Sequence, residues 1–530
     1  MQDIQAEFQT RDFQDALTFP DVVFSVQNYS FHVLGGPRQA TITAQGNEYA
    51  IWELLNWLRA PVTLRDNEGS ARWWGYLHAV DMQVGAIHVG VSLESMFNRV
   101  NVIYGHIAAG SATIGTRAST GWAQDAASVA AYGARELQFS VAEASDESAT
   151  QTRGTLLDTL RYPSPALIPN YGQSDLQATL TLRGWWDTVE WKYYQQQAGI
   201  EENQTKGIIV GVGTSTLERL AQKFELGSAV GWESYSLHVR AKVQAGTPTD
   251  NVQLTLYSDA AGAPGSVLCS AVVGDVIDDN IAWVSAVPGT RVALSPGTPY
   301  WLVVARTGSL DNDNYWGVGV DDTASYERGT LYAYASGTWS EYDHDPDTGG
   351  VQSCALTFQV TGVWETTAQI EDIVTQAGQF LTACEIENVS AVYATPYRDG
   401  DGLGSTEIAK LLTVGTTAGR RLLAEVTQAR ALRVYLEPAR SESTLALSMD
   451  NAGTLYERWN DAQALNTEIA PVGRWCEMRD WPSQVNMGLL ANPSVFFIEY
   501  AEFDVERGAW VNVTPRGAPT PWELSQLTQG

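Results

Sequence analysis

A chain of 530 residues exceeds the size at which a single hydrophobic core stops growing, so two to four domains are expected. Its 44% hydrophobic and 18% charged residues argue against disorder, and 19 Trp and 22 Tyr beside 6 Met favour strands over helical bundles. The 61 acidic and 32 basic residues leave a formal charge of −29, which argues against general nucleic-acid binding, because that affinity rests on Lys and Arg neutralising phosphates.

The first residues, MQDIQAEFQTRDF, carry neither a basic start nor an apolar run, and no stretch approaches the roughly 18 apolar residues of a membrane span. Synthesis in a cytoplasm without stable membrane insertion is the expectation. From Phe19 to about Tyr104, short β-type runs such as VVFSV, ATITA, ARWWGYL and AIHVGVSL alternate with turn signals. An Asn67-Glu68-Gly69 turn predicts a hairpin over residues 62 to 77. The spacing in YAIWELLNWLR, Tyr49 to Arg59, predicts a short amphipathic helix, and ATQTRGTLLDTLRYP a second one that Pro163 ends. Residues 175 to 195, LQATLTLRGWWDTVEWKYYQ among them, return to strand pattern.

The texture changes from about Phe224 to Val360, where strands recur at roughly ten-residue spacing with turns between them, as in an antiparallel β-sandwich. VWETTAQIEDIVTQAGQFL then predicts a helix, so the sandwich reads as an insertion. The expected class is mainly β: two or more small barrel-like domains with short helices, plus the inserted sandwich. The expected segments are 1–110 (N-terminal barrel-like domain), 111–175 (connecting α/β region), 176–216 with 362–440 (a discontinuous second β-domain), 217–361 (sandwich) and 441–530 (C-terminal β-rich region).

Little in the sequence points to catalysis. No nucleophile elbow, metalloprotease helix or phosphate loop occurs, and the six histidines are scattered. His78 and His88, on strands among apolar neighbours, read as ordinary hydrogen-bonded residues. Cys269, Cys354, Cys384 and Cys476 form no CxxC pair and read as buried small hydrophobes. Asp311-Asn312-Asp313-Asn314 and Asp343-His344-Asp345-Pro346-Asp347 place oxygen ligands on loops, but neither has the spacing of a calcium loop. Solvated turns are expected, with weak calcium binding by one of the two loops as the alternative; no catalytic residue, cofactor or dedicated metal site is expected.

Sugars stack their CH faces on aromatic rings while Asp and Asn bind their hydroxyls. Asp311, Asp313, Tyr315 and Trp316, with Trp339 beside a Ser-Gly-Thr turn, are therefore the candidate carbohydrate platform. Tyr332 and Tyr334 share their character. Trp232, Trp283 and Trp301 are expected in the core.

Several local patterns outside the insertion occur in an order that resembles the hub proteins at the tail tip of long-tailed bacteriophages. They are VTLRDNEGSARWWGYLHAV followed by LESMFNRVNVIYG, SVAAYGARE, LRGWWDTVEWKYY, LLTVGTTAGRRLLAEV followed by RALRVYLEP, VGRWCEMRDWP and SVFFIEYAEFDVE. That resemblance implies a virion protein forming a ring, usually a homotrimer, under a distal tail ring protein. Its further implied partners are the tape measure protein and other tail-tip or fibre proteins, with DNA only passing through the channel. The acidic balance suits such a conduit through like-charge repulsion. Adjacent tryptophans on a strand face opposite ways, so in ARWWGYL and RGWWDTVEW one ring is expected in a core and the other against a neighbouring subunit. The insertion, with FELGSAVGWESYSLHVRAKV, LYSDAAGAPGSVL and LSPGTPYWLVV, resembles β-sandwich modules that occur as sugar binders and as spacers. The implied function is a structural tail hub with an outward sandwich directed at host-surface polysaccharide; the rival is a stand-alone receptor- or carbohydrate-binding protein.

Overall fold

A computed structural model describes residues 4–84, 87–106, 117–169, 176–194, 200–205, 207–227, 231–323, 326–342, 354–387, 389, 393–394, 402–414, 420–438, 445–449, 455–459, 462–464, 472–480 and 494–515. The chain is mainly β, with several antiparallel sheets and few short helices. It divides into two compact units: Met1–Tyr194 with Gln369–Val392 and Asp401–Gly530, and Gln195–Ala368 with Tyr393–Gly400.

In the first unit, the strand Leu34–Gly46 pairs with Val22–His32 on one side and Gln177–Arg183 on the other. Gln177–Arg183 pairs in turn with Ala71–Val84, which pairs with Pro61–Arg65, and that with Gln5–Gln9. Phe8 on Gln5–Gln9 packs on Phe24 of Val22–His32 with ring centroids 4.9 Å apart, joining the two ends of the run. Ala40, Ile42, Leu64, Trp73, Leu77, Val80 and Leu182 fill the interior. Strands from late in the chain continue this network: Ser494–Asp504 pairs with Val22–His32, and Leu422–Val426 runs parallel to Leu34–Gly46.

The hairpin of residues 62 to 77 forms as Pro61–Arg65 and Ala71–Val84. Asp66 fixes its turn by accepting from the amides of Glu68 and Ser70 at 3.0 and 2.8 Å and from Arg72 Nε at 2.7 Å. The helix Asp146–Leu160 begins where the Ser145 hydroxyl accepts from the Ser148 amide. YAIWELLNWLR gives a helical turn, Glu48–Glu53, continued by a 3-10 turn, Leu54–Trp57.

RGWWDTVEW is not a strand. After Gln177–Arg183 the chain enters a 3-10 helix, Trp185–Trp191, in which Trp185 and Trp186 are both buried. A Cβ at Gly184 would collide with the Pro37 carbonyl, and one at Gly35 (φ +96°) with the Trp186 ring, so only glycines allow this approach. In ARWWGYL the two rings do diverge. Trp73 is buried, whereas Trp74 is half-buried and donates from Nε1 to the Val426 carbonyl at 2.9 Å, so its neighbour is this chain itself.

Asp187 on the 3-10 helix anchors a buried network. It accepts from Tyr76 Oη, from Arg183 Nη1 at 2.7 Å and from Trp191 Nε1 at 3.4 Å. Burial alone would raise its carboxyl, but Arg183 and the Tyr76 hydroxyl hold it below the ordinary range. His78 sits at the margin, 3.1 Å from Glu94, and burial, reinforced by Arg183, pushes it down to about 4. It is therefore neutral in the folded protein at pH 6, where an unfolded histidine is largely charged. Because the unfolded state binds the extra proton, stability is fully present above pH 6.5 and declines as pH falls to about 4. His32 is lowered in the same direction by burial. In urea denaturation, His78→Gln should thus reduce the fall in unfolding free energy between pH 7 and pH 5 by on the order of 2 kcal/mol relative to wild type, and an unchanged pH dependence would contradict this.

The second unit is a two-sheet sandwich in which every described strand pairing is antiparallel. One sheet is built around Ile200–Asn203, Phe358–Glu365, Trp232–Ala245, Tyr315–Asp321 and Ile208–Val212 in that order, and the other runs Ala263–Val272, Val252–Ala260, Tyr300–Arg306, Arg219–Phe224, Leu331–Ala335, Thr338–Glu341. Alternate residues of both sheets meet inside: Leu220, Phe224, Leu254, Leu302 and Val304 against Leu237, Val239, Val318, Phe358 and Val360. The strands Ile200–Asn203 and Ile208–Val212 precede the point where the texture of the sequence changes, yet Val210 and Val212 belong to this core. A fragment beginning at residue 217 would lack them.

Candidate functional site

The inward-pointing rows of the six-stranded sheet leave a second set of side chains on its outer face, and these are aromatic. On Tyr300–Arg306, Tyr300, Leu302 and Val304 point into the sandwich, while Trp301 and Val303 join Ala221 in a separate buried cluster. Tyr257, Tyr332 and Trp339 pack over that cluster, half-buried.

Strand register sets the face out in rows. Tyr257 and Lys223 flank Trp301. Next come Thr255, Val303, Ala221, Tyr332 and Glu341, and then Ala305, Arg219, Tyr334 and Trp339. The Trp301 and Tyr332 rings lie 4.8 Å apart in an edge-on arrangement, and Tyr334 and Trp339 lie 4.9 Å apart. Arg219 sits over Tyr334 with its guanidinium carbon 5.2 Å from the ring centre. Asp259 accepts from Trp301 Nε1 at 2.8 Å and so fixes the buried ring on which the half-buried ones rest. The outcome is a rigid aromatic surface bordered by Arg219, Lys223, Asp259 and Glu341. Such a surface can stack the CH face of a sugar while its charged rim binds hydroxyls.

The platform expected from the sequence does not assemble as such. Trp316 is 5% exposed and faces the core between the sheets, so it is not available to a ligand. Tyr315 and Trp316 open a strand of the other sheet from the one that carries Trp339. Tyr315 packs its ring against the backbone of Gly211. The Asp311 carboxylate is spent on its own loop, accepting from the Asp313 and Asn314 amides at 2.9 and 3.1 Å and from Asn314 Nδ2 at 3.0 Å, while Asp313 is exposed. Hydrogen bonds from Asn314 and Asp313 hold Asp311 below the usual carboxylate range. Of the five residues, only Trp339 lies on the aromatic face.

Trp301 and Trp232 are buried, but Trp283, also expected in the core, is 37% exposed beside Arg240. Sequence reading missed Tyr257, Arg219 and Lys223, which lie up to 120 residues from Trp339 and meet it only through strand pairing.

Other candidates hold less. A concavity of about 250 Å³ in the first unit is lined by Phe31, Trp74, Tyr435 and Trp510, but its charged groups are already paired, Arg72 with Asp66 and Glu425 with Arg433. Among the described residues no three His, Cys, Asp or Glu side chains gather as a metal site; Cys269 and Cys354 are buried, as expected, whereas Cys384 is half-buried. The Asp343-to-Asp347 loop lies outside the described residues. No helix among them is long and apolar enough to cross a membrane.

No family model matches this sequence, and no curated protein matches it. Among solved structures, a chain in the structure of infectious bursal disease virus Gx strain aligns at 6% identity over 68% of this chain and 80% of that one, with a TM-score of 0.16. A likeness at that level carries no argument about fold or function.

Proposed function

We propose that this chain is a structural, non-enzymatic component of a phage tail tip whose second unit presents a carbohydrate-binding face to host-surface polysaccharide. The observation that carries the sugar-binding reading is the outer face of the six-stranded sheet, where Tyr257, Tyr332 and Trp339 lie half-buried over the cluster of a fixed Trp301 and Tyr334 packs on Trp339. Half-buried aromatics held by a packed layer lose little freedom on binding, which suits them to stacking. The tail-hub setting is supported by the order of local sequence patterns outside the insertion and by the −29 charge. In that reading the chain is made in the host cytoplasm, assembles as a trimer beneath the distal tail ring and ends in the virion.

Titrating the full chain with a panel of host-surface polysaccharides, while following tryptophan fluorescence, tests the binding face. One member of the panel should change the emission. Trp339→Ala and Tyr334→Ala should each weaken that response roughly three- to tenfold, with a stability cost of about 1 kcal/mol for a half-buried edge pair. No response to any polysaccharide, or wild-type affinity in both variants, would leave the aromatic rows as sheet packing alone. A chain that binds sugar yet stays monomeric in light scattering would favour the stand-alone binder.

A further inference from the structure

In a chain with 29 more acidic than basic residues, three arginines of the first unit gather with no acid between them. Arg11, Arg59 and Arg430 come from separate turns, and two phenylalanines interleave them. The Arg430 guanidinium lies 3.6 Å from the Phe13 ring centre, and that of Arg59 lies 4.9 Å from Phe380 and 5.8 Å from Phe13. Arg59 is 4% exposed. Its Nη2 donates to the Arg11 carbonyl at 2.7 Å, but its Nε and Nη1 are buried with no hydrogen-bond partner.

A buried guanidinium normally brings a carboxylate with it, because desolvating a charge without one is costly. Here the nearest acid, Asp12, is occupied by the Thr10 hydroxyl and the Gln14 amide. Burial, with Arg11 and Arg430 alongside, pushes Arg59 down to about 10, as expected of a cation crowded by cations. The backbone adds an independent sign. Among the described residues five non-glycine positions have positive φ, and three of them are Phe13 (65°), Arg59 (68°) and Arg430 (63°). Left-handed conformations in bulky residues persist where the surroundings enforce them, and they concentrate at binding sites.

We propose that Arg11, Arg59 and Arg430 form a binding site for an oxyanion, a phosphate or a carboxylate. Arg11 and Arg430 are half-exposed and form the entrance. Arg11 donates from Nε and Nη2 to the Leu58 and Asn56 carbonyls at 2.8 and 2.6 Å, and Arg430 from Nη1 to the Phe380 carbonyl at 3.2 Å, so they offer charge and their remaining N–H groups. Arg59 is the floor whose unused N–H groups the anion would satisfy. Phe13, between Arg59 and Arg430, is the side chain that must yield for the anion to reach that floor.

The test measures the melting temperature of the full chain against increasing inorganic phosphate, acetate or chloride at matched ionic strength. A saturable rise with phosphate alone assigns a phosphate ligand, and one with acetate as well assigns a carboxylate. Phosphate also stabilises proteins by exclusion from their surfaces, without saturation. Arg430→Gln, at a half-exposed position that folding should tolerate, should therefore weaken the saturable response roughly tenfold. Arg59→Lys, which keeps charge but loses the fork, should also weaken it. No saturable response to phosphate or acetate, or the same response in Arg430→Gln, overturns the proposal.

Discussion

Trp316→Ala is expected to destabilise the second unit by about 3–5 kcal/mol, the cost of truncating a fully packed aromatic. Trp316 lies between the two sheets with Val212, Val243 and Val318, so the deletion leaves a cavity lined by β-branched side chains that cannot easily collapse. For a unit of this size that corresponds to roughly 6–20 °C in melting temperature. Affinity for a polysaccharide should survive below the lowered transition, because the ring does not reach the outer face of the other sheet. The contrast with Trp339→Ala is the useful part: one variant loses stability and the other loses binding. A Trp316→Ala protein that melts like wild type would place the ring outside the core.

Asp187→Ala is expected to cost the first unit about 2–4 kcal/mol, since it strips the acceptor from a half-buried cation and from two buried donors at once. Arg183, the Tyr76 hydroxyl and the Trp191 indole all converge on this one carboxylate. Glu94, 3.2 Å from Arg183 Nη2, is largely exposed and cannot replace it. Tyr76→Phe removes one donor and leaves the ion pair, so it should cost only about 1 kcal/mol. Urea denaturation of the two variants separates the cases, and a loss below 1 kcal/mol in Asp187→Ala would mean that the network does not hold the 3-10 helix in place.

What the sequence makes legible follows from how local the physics is. The hairpin of residues 62 to 77 is readable because Asp66, Gly69 and the flanking alternation lie within a few residues of one another, and the helix at Asp146 because Ser145 caps it. RGWWDTVEW is not readable, since a short apolar run suits a strand as well as a buried turn. What decides is Gly184 against Pro37 and Gly35 against Trp186, contacts across about 150 residues. The same limit governs the site. Alternation shows that Tyr300 and Trp301 face opposite ways but not which one faces the core, and Trp316 stands on its strand as Trp301 does on its own. Strand pairing alone brings Tyr257, Arg219 and Tyr334 to Trp339. Trp339 was accessible to sequence reasoning because a tight turn at the end of a hairpin exposes its neighbours whatever the register.

Oxidative footprinting of the full chain, with and without the polysaccharide that changes its fluorescence, tests the central claim most directly. The account predicts that ligand protects Tyr257, Tyr332, Tyr334 and Trp339 from modification while the exposed Tyr235 and Trp283, outside that face, react as before. Protection at Tyr235 and Trp283 with none on the six-stranded sheet would contradict it.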